Sequence, residues 1–146
     1  MKKYNSPISV LKKYFDAIIK DRSFIIAAYV FGSYLKEEIE EQSDLDLAFL
    51  LKHDLYKSNP LQTITPAYSI AAQIGLKLNR ETDVIILNSS SIEIAYEIIT
   101  TGKCIYQINQ DTRLEYEAAI RGMYMDFIPF ISELRASSIN KLSIEK

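Results

Sequence analysis

The chain is poor in the residues that staple, bend or target a protein. Cys104 is its one cysteine. An internal disulfide is therefore excluded, and the expected compartment is a reducing, cytoplasmic one. There is no low-complexity tract, internal repeat or dividing linker, so 146 residues point to one domain around a single core. No apolar run approaches the length that crosses a bilayer, so no membrane anchor is expected. The opening "MKKYNSPISVLKKYFDAIIK" carries lysines but no long apolar segment before a small-residue cleavage site, and no signal peptide is expected. A net charge of −2 supplies no overall attraction to nucleic acid or to an anionic membrane, so direct nucleic-acid binding is not expected either.

What is present is a sequence of alternating strand and helix signals. Ser6 and Pro7 suit an N-cap and a first helical position, and Ile8, Leu11, Phe15, Ile18 and Ile19 follow at helical spacing. "FIIAAYVFG" (24–32) reads as a buried strand, "SDLDLAFLL" (43–51) as a second and "TDVIILN" (82–88) as a third. A short acidic helix is expected over 34–41, and a polar loop over 52–62. Thr65 and Pro66 open a helix with Ala67, Ile70, Ala71, Ile74 and Leu78 on one face, weakened by Gly75. Ser90 and Glu93 are spaced as a capping box for a helix over 91–101 that stops at Gly102. "KCIYQI" (103–108) reads as an edge strand. The long helix after Asp111 carries Ile120, Tyr124, Phe127, Ile128, Ile131 and Leu134 on one face; a kink or break is expected at Pro129, and a frayed tail at the end. The expected fold class is α/β (α+β), a small mixed β-sheet with flanking helices. It forms one domain over 1–146, with a core at about 24–108 and a C-terminal helical segment at about 111–138.

The second strand carries the chemistry. Strand side chains alternate, so Asp44 and Asp46 share a face while Leu45 and Leu47 point into the core. Two neighbouring carboxylates repel, and one stays protonated unless water or a cation intervenes. Mg²⁺ takes carboxylate oxygens and is commonly shared with substrate phosphates. Gly32 and Ser33, ten residues upstream of Asp44, supply a complementary element. Glycine lets backbone approach a ligand closely, and a helix start near Ser33 would offer free N–H groups to a phosphate. Asp83 opens the third strand, and if that strand lies beside the second, three carboxylates stand on one edge and can hold two Mg²⁺ ions. Asp83 is then the base or a ligand on the base side.

Gly32-Ser33, ten residues, Asp44-x-Asp46 and a later Asp83 together resemble the nucleotidyltransferase superfamily of DNA polymerase β type, and within it the minimal nucleotidyltransferases. "TDVIILNSSSIEIAYEIITTGKCIYQIN" and "YEAAIRGMYMDFIPFI" are similar to later parts of that group, so the likeness covers most of 24–131. It implies a nucleotidyltransferase (polymerase β-like) fold and the antitoxin role of HEPN/MNT toxin–antitoxin pairs, in which AMP passes from ATP to a tyrosine of a HEPN ribonuclease toxin. By that likeness Gly32, Ser33 and Lys36 contact the nucleotide, and Asp44, Asp46 and Asp83 form the catalytic, Mg²⁺-binding triad. Two positions depart from the family pattern. Lys36 stands where arginine is usual and lacks its planar fork, and Glu37 stands where glycine is usual.

Each of these residues also has a plain structural use: a solvent-facing pair for Asp44 and Asp46, a strand entry for Asp83, an N-cap for Ser33. Their joint spacing favours the site. His53 reads as solvated, Cys104 as a small core residue, and the acidic run 37–41 as a solvated face. The tyrosines read as packing residues, with Tyr116 and Tyr124 as candidates for a partner-facing surface. Two alternatives stay open: transfer to a small hydroxylated molecule such as an aminoglycoside, and a non-catalytic antitoxin that neutralises its partner by binding.

Overall fold

The computed structural model describes residues 7–19, 22–35 and 44–144, apart from the side chains at 7, 33 and 138–144. The expected N-cap Ser6 and the acidic segment 36–43 lie outside the described residues. Four strands, β1 (Ile25–Phe31), β2 (Leu45–Leu51), β3 (Thr82–Ile86) and β4 (Lys103–Gln107), form one sheet in the order β3-β2-β1-β4. β1 pairs antiparallel with both β2 and β4, while β2 and β3 run parallel. The fold is thus the mixed sheet with flanking helices read from the sequence, and β4 is an edge strand as expected.

Burial on both faces explains why β1 and β2 are nearly continuous apolar runs. On one face Leu45, Leu47, Phe49 and Leu51 meet Leu11 and Phe15 of α1 (Pro7–Ile18) and Ile70 and Ile74 of α3 (Pro60–Leu78). On the other, Ala27, Tyr29, Ala48 and Leu50 meet Ala95, Ile98 and Ile99 of α4 (Ile92–Thr101) and Ile120 of α5 (Gln110–Ile144). The expected single core is therefore two clusters separated by the sheet. Each fully buried Leu, Ile or Phe contributes about 1.5–3 kcal/mol. A polar clasp ties α5 to the second face. Buried Glu117 accepts from the Tyr29 hydroxyl at 3.0 Å and is paired with Arg113 at 2.9 Å.

Several local expectations are corrected. Residues 52–62 are not a loop: α2 (His53–Ser58) forms there and α3 already starts at Pro60. α2 buries nothing, so it leaves no apolar period, but Asp54 in its first turn and Lys57 in its last suit the helix dipole. α3 begins where a proline's missing N–H costs nothing and continues through Pro66. α5 likewise runs through Pro129 to Ile144, without the expected break and through most of the expected frayed tail. In each case the carbonyl deprived of its donor belongs to an exposed residue, Gln62 or Met125, where water can serve it. The cap of α4 is Ser91 rather than Ser90. Ser91 Oγ accepts from the Ile94 N–H at 3.2 Å, whereas Ser90 Oγ donates to the Leu87 carbonyl at 3.0 Å and closes a short 3₁₀ turn.

Gly75 is a packing requirement rather than a weak point of α3. A Cβ there would stand 2.7 Å from the Arg80 carbonyl and 2.9 Å from Thr82 Cγ2. Gly75→Ala is expected to destabilise the fold by about 1–3 kcal/mol. Gly122→Ala, where a Cβ meets nothing within 4 Å, is expected to stabilise it by about 0.5–1 kcal/mol. Chemical denaturation of the two variants against the parent checks the opposite signs.

Candidate active site

The site grows from one row across three strands. In the antiparallel pair Phe31 stands opposite Asp46, and in the parallel pair Asp46 stands opposite Asp83. The register is held by the fully buried Leu45 and Leu47 that flank Asp46, and by the Leu45 N–H donating to the Glu81 carbonyl at 2.8 Å. Alternation then leaves Asp46 and Asp83 on the α4/α5 face. One residue past Phe31 the chain enters a tight 3₁₀ turn, Gly32–Leu35; most of the acidic helix expected over 34–41 lies outside the described residues.

Gly32 takes φ +75°, a left-handed conformation that favours glycine. A Cβ here would overlap Asp46 Oδ2 and lie 3.2 Å from its Cγ. The turn therefore has its backbone against the Asp46 carboxylate. Ser33 lies in the turn, but its side chain and all of Lys36 lie outside the described residues.

Electrostatics mark the same spot. Burial first, then the charges of Asp83 and Asp44 and a hydrogen bond with Asp83, push the Asp46 carboxyl above the usual carboxylate range. Asp46 and Asp83 are brought together; exposed Asp44, at the strand entry, is within electrostatic reach. Among the described residues no three His, Cys, Asp or Glu side chains are already gathered as a metal-binding set. The opposed pair itself fits Mg²⁺, whose hard-oxygen preference and double charge match two repelling carboxylates; Asp44 has to turn toward them to complete a triad.

Sequence reasoning missed Arg80, whose only signal is its place three residues before Asp83. Its guanidinium stands 5.3 Å from the ring centroid of Tyr34, which is 6% exposed and sits in the α1/α3 core. Burial raises the Tyr34 hydroxyl's pKa and the Arg80 charge opposes it, so the phenol stays neutral. The candidate partner-facing tyrosines are otherwise engaged. Tyr124 stacks on Tyr96 at 3.7 Å. Tyr116 packs against the second core cluster, and burial pushes its hydroxyl up to about 12. Tyr116 also lines an apolar cavity of about 680 Å³ with Leu50 and Leu51, at the far end of β2 from the carboxylates. His53 is exposed, and Cys104 packs against the second cluster, in line with expectation. Among the described residues no helix is long and apolar enough to cross a membrane.

A four-stranded mixed sheet layered by helices, with a glycine turn at the end where two register-matched aspartates stand, is a nucleotidyltransferase-type fold. The family model for polymerase beta, nucleotidyltransferase, matches residues 13–111, and the chain belongs to that family. It is 28% identical over 86 residues to the protein adenylyltransferase MntA of Shewanella oneidensis, an alignment that covers 59% of this chain and 57% of that protein, so the chain spans little more than half of its curated relative. Solved structures add the fold. A chain of a toxin–antitoxin structure with AMP-PNP matches with TM-score 0.60 at 22% identity, over 85% of this chain and 98% of that one. A chain of the tri-AMPylated Shewanella oneidensis HEPN toxin in complex with MNT antitoxin matches with TM-score 0.59 at 21% identity, over 88% and 98%.

The charge conflict at Asp46 is testable through stability. Its folded pKa lies above the unfolded value, so stability falls as pH rises from the unfolded pKa through the raised one, and the penalty is full above it. Asp46→Asn removes it. In metal-free buffer the variant is expected to melt above the parent, with a wider gap at pH 8 than at pH 5. Added Mg²⁺ should raise the parent's melting temperature and leave the variant's nearly unchanged. A parent indifferent to Mg²⁺ would count against metal binding at the pair.

Proposed function

We propose that the chain is an antitoxin-type protein adenylyltransferase that moves AMP from ATP to a tyrosine of a HEPN ribonuclease toxin. The observation that carries this reading is the Asp46–Asp83 register with Gly32 against Asp46, which sets a glycine turn beside two carboxylates. The relatives support it by what they are: one is a protein adenylyltransferase, and one match is to a complex of an MNT antitoxin with an AMPylated HEPN toxin.

In this reading Gly32 and Ser33 seat the triphosphate through the backbone and a hydroxyl, and Lys36 adds a positive charge. Asp44, Asp46 and Asp83 would hold two Mg²⁺ ions. Bound Mg²⁺ neutralises phosphate charge and eases deprotonation of the attacking hydroxyl. Exposed Asp83 accepts the proton of the acceptor tyrosine as its oxygen bonds the α-phosphorus. The bond from that phosphorus to the bridging oxygen breaks, and pyrophosphate leaves. The open site suits a protein acceptor, because Asp44 and Asp83 are exposed and leave room for a second protein to form the wall. The outer half of α5 presents apolar side chains to such a partner, among them Met125, Phe130 and Leu134, each more than half exposed.

The separation of Asp44 from the Asp46–Asp83 pair favours a second reading, an antitoxin that neutralises by binding alone. One experiment separates the two. The chain is incubated with a HEPN toxin, ATP and Mg²⁺ and read by intact mass. The enzymatic reading predicts added AMP on the toxin. It also predicts a loss of at least about 100-fold in the Asp44→Asn/Asp46→Asn variant, since losing a partner one shell out from a metal already costs about 10–100-fold. A tight complex with no added AMP would leave only the binding reading. Undiminished transfer by the double variant would refute the metal site.

A further inference from the structure

The phosphate-seating turn is fixed at two points, and the second lies on the opposite face of the sheet from the carboxylates. At the first, Gly32 touches the Asp46 carboxylate. At the second, Tyr34, two residues on, is buried in the α1/α3 core with the Arg80 guanidinium 5.3 Å from its ring centroid. Arg80 is itself held in place. α3 ends in Asn79 at φ 53°, ψ 49°, and the Arg80 N–H then donates to the Gly75 carbonyl at 2.9 Å. Directly after Arg80, the Glu81 carbonyl accepts from the Leu45 N–H at 2.8 Å at the entry to β2. A chain of short contacts therefore runs from the end of α3 through Arg80 and Tyr34 to the turn, and from residue 81 to the strand that carries Asp46.

The geometry points to Arg80 as a positioning residue for nucleotide binding: by stacking on Tyr34 it holds the Gly32–Leu35 turn at a fixed distance from Asp46. The proposal rests on the nucleotide-site reading above. The action is indirect. Arg80 fixes Tyr34, Tyr34 fixes the turn, and the turn meets the phosphates. A cation over an aromatic face that is largely removed from water is a directional contact of moderate strength. Its loss through removal of Arg80 should loosen the turn without unfolding the chain, because Arg80 belongs to neither core cluster.

The test reads the Kd of Mg²⁺·AMP-PNP by calorimetry on the full chain, with melting temperature measured alongside. Arg80→Ala is expected to raise the Kd about two- to fivefold, as one cation–π contact suggests, with little change in melting temperature. Arg80→Lys, which keeps a cation, should fall between. Tyr34→Leu should weaken binding, and Tyr34→Phe, which keeps the ring, should restore it. The decisive arm is the double variant. If Arg80 works through Tyr34, adding Arg80→Ala to Tyr34→Leu changes the Kd no further. An unchanged Kd in Arg80→Ala overturns the proposal, and so does a full Arg80 effect persisting beside Tyr34→Leu, which would make the arginine a direct phosphate ligand. A parent chain that binds no Mg²⁺·AMP-PNP overturns the nucleotide-site reading first and this proposal with it, so the two failures are distinguishable.

Discussion

The parallel pairing of β2 with β3 is the constraint on which the rest depends. It places Asp46 directly opposite Asp83, an arrangement no fold adopts to gain stability. Burial, and after it the like charge of Asp83 held in register, push the Asp46 carboxyl up. The apolar rows on either side impose it. Leu45 and Leu47 are fully buried, so a one-residue slip of β2 would put both leucines on the wrong face and both aspartates in the core. Local electrostatic cost is thus overridden by burial, and a divalent cation at the pair would relieve it.

The layers follow from the same pairing. α1 and α3 cover the leucine face and leave the aspartate face to α4 and α5. The carboxylates sit at the end of the sheet where β2 and β3 begin and β1 ends, so the Gly32 turn necessarily arrives beside them. Glycine is favoured there, because the left-handed φ strains any other residue and a Cβ would have to displace the Asp46 carboxylate. Structure and the proposed chemistry meet at this residue: the turn that leaves β1 is also the proposed phosphate seat.

Much of this was legible in the sequence. Period-two alternation put Asp44 and Asp46 on one face, and the GS-x10-DxD spacing tied them to a turn. That Asp83 stands opposite Asp46 required knowing that β3 lies beside β2, a long-range fact that spacing leaves open. The stack of Arg80 on Tyr34 and the clasp of Tyr29 with Glu117 and Arg113 were not legible for the same reason: they join residues far apart in the chain and leave no local period. α2 was missed because it buries nothing. The one-residue error at the α4 cap arose because Ser90 and Ser91 both suit a cap and only the turn before them decides between them. Pro66 suggested a helix start and Pro129 a kink or break, yet both lie inside helices, where each deprives only the carbonyl of an exposed residue.

The central claim is that Asp46 and Asp83 share a divalent cation in front of the Gly32 turn. Anomalous diffraction from crystals grown with Mn²⁺ and AMP-PNP tests it most directly. The account predicts a manganese peak bridging the carboxylates of Asp46 and Asp83, with the triphosphate lying along residues 32–33. Manganese bound elsewhere, or a nucleotide seated away from the Gly32 turn while the two aspartates remain without metal, would contradict it.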